Sequence, residues 1–207
     1  MINDFKSIVL ERRSIREYDP SVKISKEEMR EMIRIATRAP SSVNLQPWRI
    51  VIVESDEGKE KLRSFMRFNK KQNDTSSAML LIFGDMECYR LAETIYDQAV
   101  KDGHMPQDVR DKQVSSIVPL YQSFSREKMN EIVKVDSSLM AMQLMLVARS
   151  YGYDTNPIGG YIEENLAETF DLDANRYVPV LIIAIGKALE TGYSSLRLPI
   201  ETITSWK

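Results

Sequence analysis

The fold class predicted is α+β: a small central sheet with helices around it and a long C-terminal arm. Three observations predict it. Short apolar, β-rich runs occur at residues 49–53, 78–83 and 178–185. Stretches with helical periodicity separate them, the longest at 126–150. Strict β-α-β alternation is absent, which argues against a doubly wound parallel sheet. With 207 residues the chain suits one such domain and is long enough to bury a substantial core.

In chain order, Phe5, Ile8 and Val9 share one face, so residues 3–12 read as an opening helix. Ser25-Lys26-Glu27-Glu28 is a capping box, and Met29, Met32, Ile33 and Ala36 follow at the spacing of one helical face. That helix must stop before Pro40. A loop follows at 40–48, then the first strand. Residues 56–68 read as helix, and 78–83 as a buried strand ended by Gly84. Residues 88–102 and 107–123 read as helices, with Pro106 opening the second. In the 126–150 helix, residues 139–147 are apolar almost all round, which predicts burial on most sides, centrally or in a subunit interface. Gly152 is a plausible stop. Residues 156–160 read as a loop, followed by a short helix and the strand at 178–185. The last twenty residues carry Gly192, Pro199 and scattered apolar side chains, the pattern of an arm.

Composition removes several functions. The formal net charge is −2, so no global basic excess points to nucleic acid or to an anionic membrane. Cys88 is the only cysteine and His104 the only histidine. No intramolecular disulfide forms, and a common zinc site lacks its ligands. His104 sits in an expected helix-to-helix turn, where such residues are usually solvated. The N-terminus has no basic segment followed by an apolar run, and the longest apolar stretch, 177–185, is far short of a membrane span. A cytoplasmic location is the expectation.

Three segments carry chemistry. Arg12-Arg13-Ser14-Ile15-Arg16 places three guanidiniums and a hydroxyl where the first helix ends. Arginine offers a planar fork of donors that matches phosphate, although basic residues there also complement the helix dipole. Neither common glycine-rich phosphate loop occurs, so side chains must do more of any phosphate holding. The segment Pro40-Ser41-Ser42-Val43-Asn44-Leu45-Gln46-Pro47-Trp48 joins rigid turns to polar side chains that suit a heteroaromatic edge, or simply make a polar loop. In Asn156-Pro157-Ile158-Gly159-Gly160, paired glycines allow close approach to a flat ligand, positive φ, or a plain turn.

Together with residues 178–186 and Arg197-Leu198-Pro199, these segments resemble the nitroreductase family of flavoproteins, in the family's order and over essentially the whole chain. The resemblance implies a nitroreductase-like fold with a mostly antiparallel sheet and a C-terminal arm, 187–207, exchanged in a homodimer. It implies FMN as cofactor and NAD(P)H as electron donor. Arg12, Arg13, Ser14 and Arg16 would grip the phosphate, the ribityl chain and the pyrimidine side. Pro40, Ser41, Ser42 and Asn44 would reach the flavin from the partner subunit. Pro157, Ile158, Gly159 and Gly160 would lie against the ring, with Arg197 on the phosphate side. Many relatives have a lysine where Ser195 stands; either Lys187 or nothing replaces its charge. Some have Glu where Gly159 stands. Asn69 is named for a further flavin contact, with Asn73 competing.

The implied activity is ping-pong hydride transfer from NAD(P)H to nitroaromatics, quinones or similar small electrophiles. No side chain need act as base, because the flavin carries the chemistry. The same fold also hosts reductive dehalogenation, dehydrogenation and enone reduction, and a flavin-binding module without turnover is the non-enzymatic alternative.

Overall fold

The computed structural model describes residues 4–207, so Asn3, the expected first helical residue, lies outside the described residues. Helix α1 (Phe5–Glu11) is capped by Asp4, whose carboxylate accepts from the Ser7 N–H at 3.0 Å. Helix α2 (Lys26–Ala36) begins as the capping box requires, with the Ser25 hydroxyl accepting from the Glu28 N–H. Strand β1 (Trp48–Val53), helices α3 (Asp56–Arg63) and α4 (Lys70–Thr75), and strand β2 (Ala78–Asp85) follow. A 3₁₀ turn leads into α5 (Ala92–Lys101), α6 (Gln107–Ser123) and the long α7 (Arg126–Ser150). Strand β3 (Asp154–Ile158), α8 (Leu166–Thr169) and β4 (Tyr177–Gly186) complete the domain, and α9 (Ile200–Ile203) is one turn in the arm.

The four strands lie in the order β1-β2-β4-β3, and every neighbouring pair is antiparallel. All eight residues of β2 are buried, because both sheet faces are covered. Leu80 and Ile82 of β2, with Ile183 and Ile185 of β4, pack against Met32 and Ala36 of α2 and Met140, Ala141 and Leu144 of α7. The alternate residues Met79, Leu81, Phe83, Ile182 and Ala184 meet Ile15, Tyr18, Leu62, Met66 and Leu166. This two-sided burial explains why the inner strands β2 and β4 are nearly continuously apolar rather than alternating.

Three expectations are corrected. The 56–68 helix stops at Arg63, because Met66 is drawn into the core in a bridge to Tyr161 and Ile162 N–H bonds the Phe65 carbonyl at 2.9 Å. Helix α4 then forms on a polar segment with no apolar period to announce it. Gly84 does not end its strand. It continues β2 and makes room for α7, since a Cβ there would sit 2.5 Å from the Val133 side chain. Residues 156–158 are strand rather than loop. Pro157 is tolerated because β3 lies at the sheet edge, where a missing N–H costs no ladder bond. In the single chain the apolar 139–147 segment buries Met140, Ala141, Leu144 and Met145 and leaves Leu139 and Met142 exposed, so it is not a central helix buried all round.

Candidate functional site

Helix α1 ends at Arg12, whose backbone turns extended (φ −56°, ψ 129°). Ser14 pairs with Thr155, and the Ile15 N–H donates to the Thr155 carbonyl at 3.2 Å. The arginine segment therefore lies beside β3, whose last residue, Ile158, leads directly into Gly159 and Gly160. Both glycines are exposed, have no positive φ, and would place a Cβ in open space. Their smallness leaves a gap on the open side of the sheet edge and serves no tight turn.

The arm folds back over residues 13–19 and leaves Gly159 and Gly160 open. The Asp19 N–H donates to the Lys187 carbonyl and the Leu189 N–H to the Glu17 carbonyl. Gly192 (φ +70°) crosses Arg13 and Ile15 so closely that a Cβ would meet the Arg13 side chain at 2.8 Å. Glu190 accepts from the Arg16 N–H, and the Arg16 guanidinium lies over the Tyr193 ring at 4.9 Å. Ser195, at the family's lysine position, accepts from Arg197 Nη1 at 2.8 Å and so orients that guanidinium. Lys187 instead donates to the Gly152 carbonyl at 3.1 Å.

Burial lowers the pKa of Arg12, and the neighbouring charges of Arg197, Arg13 and Arg149 lower it further. Its Nη1 is buried and has no hydrogen-bond partner. A buried unpartnered guanidinium nitrogen among like charges is costly unless an anion completes the site. Arg149 was missed in the sequence reading. It stands in the last turn of α7, where a basic side chain reads as a solvated dipole partner; its only sequence signal is Asp154, with which it forms an ion pair.

Asn69 and Asn73 separate clearly. Asn73 is buried, and its amide donates to the Lys59 carbonyl at 3.0 Å. Asn69 is half-buried ahead of α4 and accepts from Gln72 at 2.9 Å, whereas the Asn73 Oδ1 is buried without a partner. Lys71 pairs with Glu17 at 2.6 Å and the Tyr18 N–H bonds Thr75, which ties α4 to the chain just after Arg16.

The 40–48 loop is built differently. Val43, Asn44 and Gln46 all have left-handed φ values of 45°, 56° and 48°. Such conformations in non-glycine residues persist only when neighbours impose them. Asp136 of α7 accepts from the Ser42 N–H at 2.9 Å and from the Ser42 hydroxyl at 3.1 Å. The Tyr96 hydroxyl donates to the Val43 carbonyl at 2.7 Å, and the Ser41 hydroxyl accepts from the Gln46 N–H at 3.1 Å. Pro40 and Asn44 line a cavity of about 600 Å³ that also includes Arg38 and His104, the latter exposed in its turn. Cys88 is buried, and desolvation pushes its thiol up to about 12, so it is no nucleophile.

Burial raises the Asp136 carboxyl above its ordinary value despite the two bonds from Ser42. The folded state then holds the proton to higher pH than the unfolded chain. The stability this group contributes is fully present below about pH 3.9 and lost as pH rises through the folded value. D136N, whose amide both accepts and donates, is expected to keep the loop and flatten that part of the pH–stability profile. D136A is expected to cost about 1–3 kcal/mol by leaving the Ser42 N–H unpaired. Chemical denaturation between pH 4 and 7 checks both; a D136A stability equal to that of the natural protein would remove Asp136 as the anchor.

Among the described residues no His/Cys/Asp/Glu group suits a metal ion, and no helix is long and apolar enough to cross a membrane.

Comparisons with known proteins agree with this geometry. The chain is 54% identical over 205 residues to Bacillus subtilis YdgI, provisionally named an NAD(P)H nitroreductase, covering 99% of this chain and 98% of the relative. It is 36% identical over 205 residues to the CLA biosynthesis enone reductase of Lactiplantibacillus plantarum, covering 99% and 94%. A protein of Exiguobacterium sibiricum crystallised in complex with FMN superposes with a TM-score of 0.97 at 52% identity, covering 100% of this chain and 99% of the other. The model of the nitroreductase family matches residues 9–187, a span that holds the arginine segment, the strained loop and the glycine pair, and the chain belongs to that family.

Proposed function

We propose that this protein is an FMN-dependent NAD(P)H oxidoreductase that reduces nitroaromatics, quinones or similar small electrophiles. The observation that carries the reading is Arg12: a buried, unpartnered guanidinium nitrogen set among three other arginines. Those residues fit a phosphate-bearing cofactor, because charge-assisted bonds to phosphate oxygens would satisfy the orphaned donor. Bound FMN supplies two-electron hydride chemistry, which no side chain of the described site provides.

The chain's own residues bind and orient. Arg12, Arg13, Ser14, Arg16 and Arg197 would hold the phosphate and ribityl side, with Ser195 fixing Arg197. Pro157, Ile158, Gly159 and Gly160 leave the sheet edge uncovered for a flat ring, and Asn69 reaches it from α4. Lys187 contributes at longer range, because its ammonium is engaged with Gly152.

Residues 1–207 act as one domain with 187–207 as its arm, and the working unit is a homodimer. Asp136, which anchors the 40–48 loop, precedes Arg149 by thirteen residues on α7, roughly 20 Å along the axis. That separation favours Pro40, Ser41, Ser42 and Asn44 reaching the flavin of the other subunit. A groove of about 450 Å³ lined by Phe5, Ile8, Leu139, Met142 and Leu146 supports a partner against α1 and α7.

The purified protein is expected to release FMN, not FAD, on denaturation, and to give parallel double-reciprocal lines with NAD(P)H and an acceptor. R12A is expected to weaken FMN binding by about 1.5–3 kcal/mol. A protein that takes up no FMN at micromolar concentration would overturn the proposal. Enone reduction is the second reading, favoured by the 36% identity to the Lactiplantibacillus plantarum enzyme; comparing turnover on an enone and a nitroaromatic separates the two.

A further inference from the structure

Arg149 sits in the last turn of α7 and makes two ionic contacts: Nη1 with Asp154, and Nη2 with Glu11 at 3.8 Å. Its Nε is buried and has no partner. Among the described residues five buried side-chain atoms lack a partner, and three of them, Arg12 Nη1, Arg149 Nε and Thr155 Oγ1, belong to adjoining segments: the end of α1, the end of α7 and the start of β3. Clustered orphans are the signature of a polar site that a ligand completes rather than of a packed core.

Charge leads to the same place. Arg12, Arg13, Arg149 and Arg197 form one group of four positive charges, and the carboxylates in contact with it are Asp154 and Glu11, which leaves a net charge of +2; the neighbouring Arg16 is offset by Glu190, which accepts from its N–H. A phosphate monoester carries about two negative charges near pH 7. Without Arg149 the remaining three arginines would face two carboxylates, and the same ligand would be under-neutralised. Arg149 also has little freedom to leave, since Asp154 and Glu11 hold its guanidinium from two sides.

We propose that Arg149 is a specificity-determining residue that makes this site select the phosphorylated flavin over riboflavin, standing behind Arg12 as a positioning residue. The inference rests on the FMN reading above. It differs from a purely structural role for the Arg149–Asp154 pair, which would brace β3 against α7 equally for either flavin.

The test titrates the flavin-free full-length protein with FMN and with riboflavin, following flavin fluorescence. R149Q is expected to lower the FMN-to-riboflavin affinity ratio by about tenfold with riboflavin binding unchanged, the scale of one charge-assisted bond. R149K, which keeps the charge but lacks the Nε donor, is expected to recover part of the ratio, to a value between those of R149Q and the natural protein. Parallel weakening of both flavins, an unmoved ratio, or an R149K ratio as low as that of R149Q would each overturn the proposal. Should R149Q fail to fold, E11Q carries the test at an exposed carboxylate. It uncovers charge on Arg149 and should raise the ratio about twofold, the modest effect of an exposed charge pair; a ratio at the natural value overturns the proposal. A protein that takes up neither flavin overturns the flavin reading and this inference with it, whereas FMN binding with an unmoved ratio overturns only the inference.

Discussion

Removal of residues 188–207 is expected to give a monomer that no longer retains FMN. The arm exposes apolar side chains that no soluble surface needs: Trp206 is 96% exposed and Leu196 89%, with Leu198, Ile200 and Ile203 alongside. On the body of the protein, Phe5 and Leu10 of α1 and Leu139 and Met142 of α7 are also exposed. Two uncovered apolar surfaces on one chain are the pattern of an interface that resembles a core cut in half, commonly burying over about 2,000 Å². The truncation also removes Arg197 and takes Gly192 off Arg13, so the arginine cluster proposed to hold the phosphate loses a charge and a brace. Sedimentation and the flavin-to-protein ratio measure the two losses. R197A separates them, since it should lower FMN retention and leave the dimer intact. A truncated protein that sediments as a dimer and holds its full flavin would refute the exchanged arm.

R176A is expected to cost about 3 kcal/mol of stability. Arg176 donates through Nε and Nη2 to the two oxygens of Asp85, both at 2.7 Å. The Asp85 side chain is only 3% exposed, whereas that of Arg176 is 24% exposed. Removing the arginine strands a buried carboxylate, which costs about 3–5 kcal/mol for a fully buried pair, and the partial exposure of Arg176 argues for the low end. Asp85 also accepts from the Glu87 N–H at 2.9 Å, and the Met86 N–H bonds the Arg176 carbonyl at 2.8 Å, so the pair pins the end of β2 to the start of β4. The loss should appear as a fall of about 6–12 °C in Tm, measured at one protein concentration because a dimer's Tm depends on it. D85N in the R176A background should recover most of it. A change below about 1 kcal/mol would mean that the pair is incidental to the fold.

What the sequence by itself determined is everything set by local pattern. The capping box at Ser25 placed the start of α2 because its bonds lie within one turn. The apolar runs located β1, β2 and β4, because the buried β2 and the inner β4 carry an apolar signal in nearly every residue and β1 is β-rich along its length although Arg49 and Ile52 are exposed. The arginine segment, the 40–48 loop and the glycine pair were legible as candidate binding residues through their chemistry and order.

Only the tertiary structure decided what depends on residues distant in the chain. Gly84 continues its strand because Val133, 49 positions later, needs the space a side chain would fill. Pro157 lies in a strand because that strand is the sheet edge, a fact set by the pairing of β3 with β4. Asn73 is buried with its amide on the Lys59 carbonyl, and Ser195 gains its role from the Arg197 it orients. Arg149 was illegible for the same reason. Its partners Glu11 and Asp154 lie on two other segments, and only folding joins it to Arg12 as part of a charged site, because electrostatic and packing energies follow distance in space rather than separation along the chain.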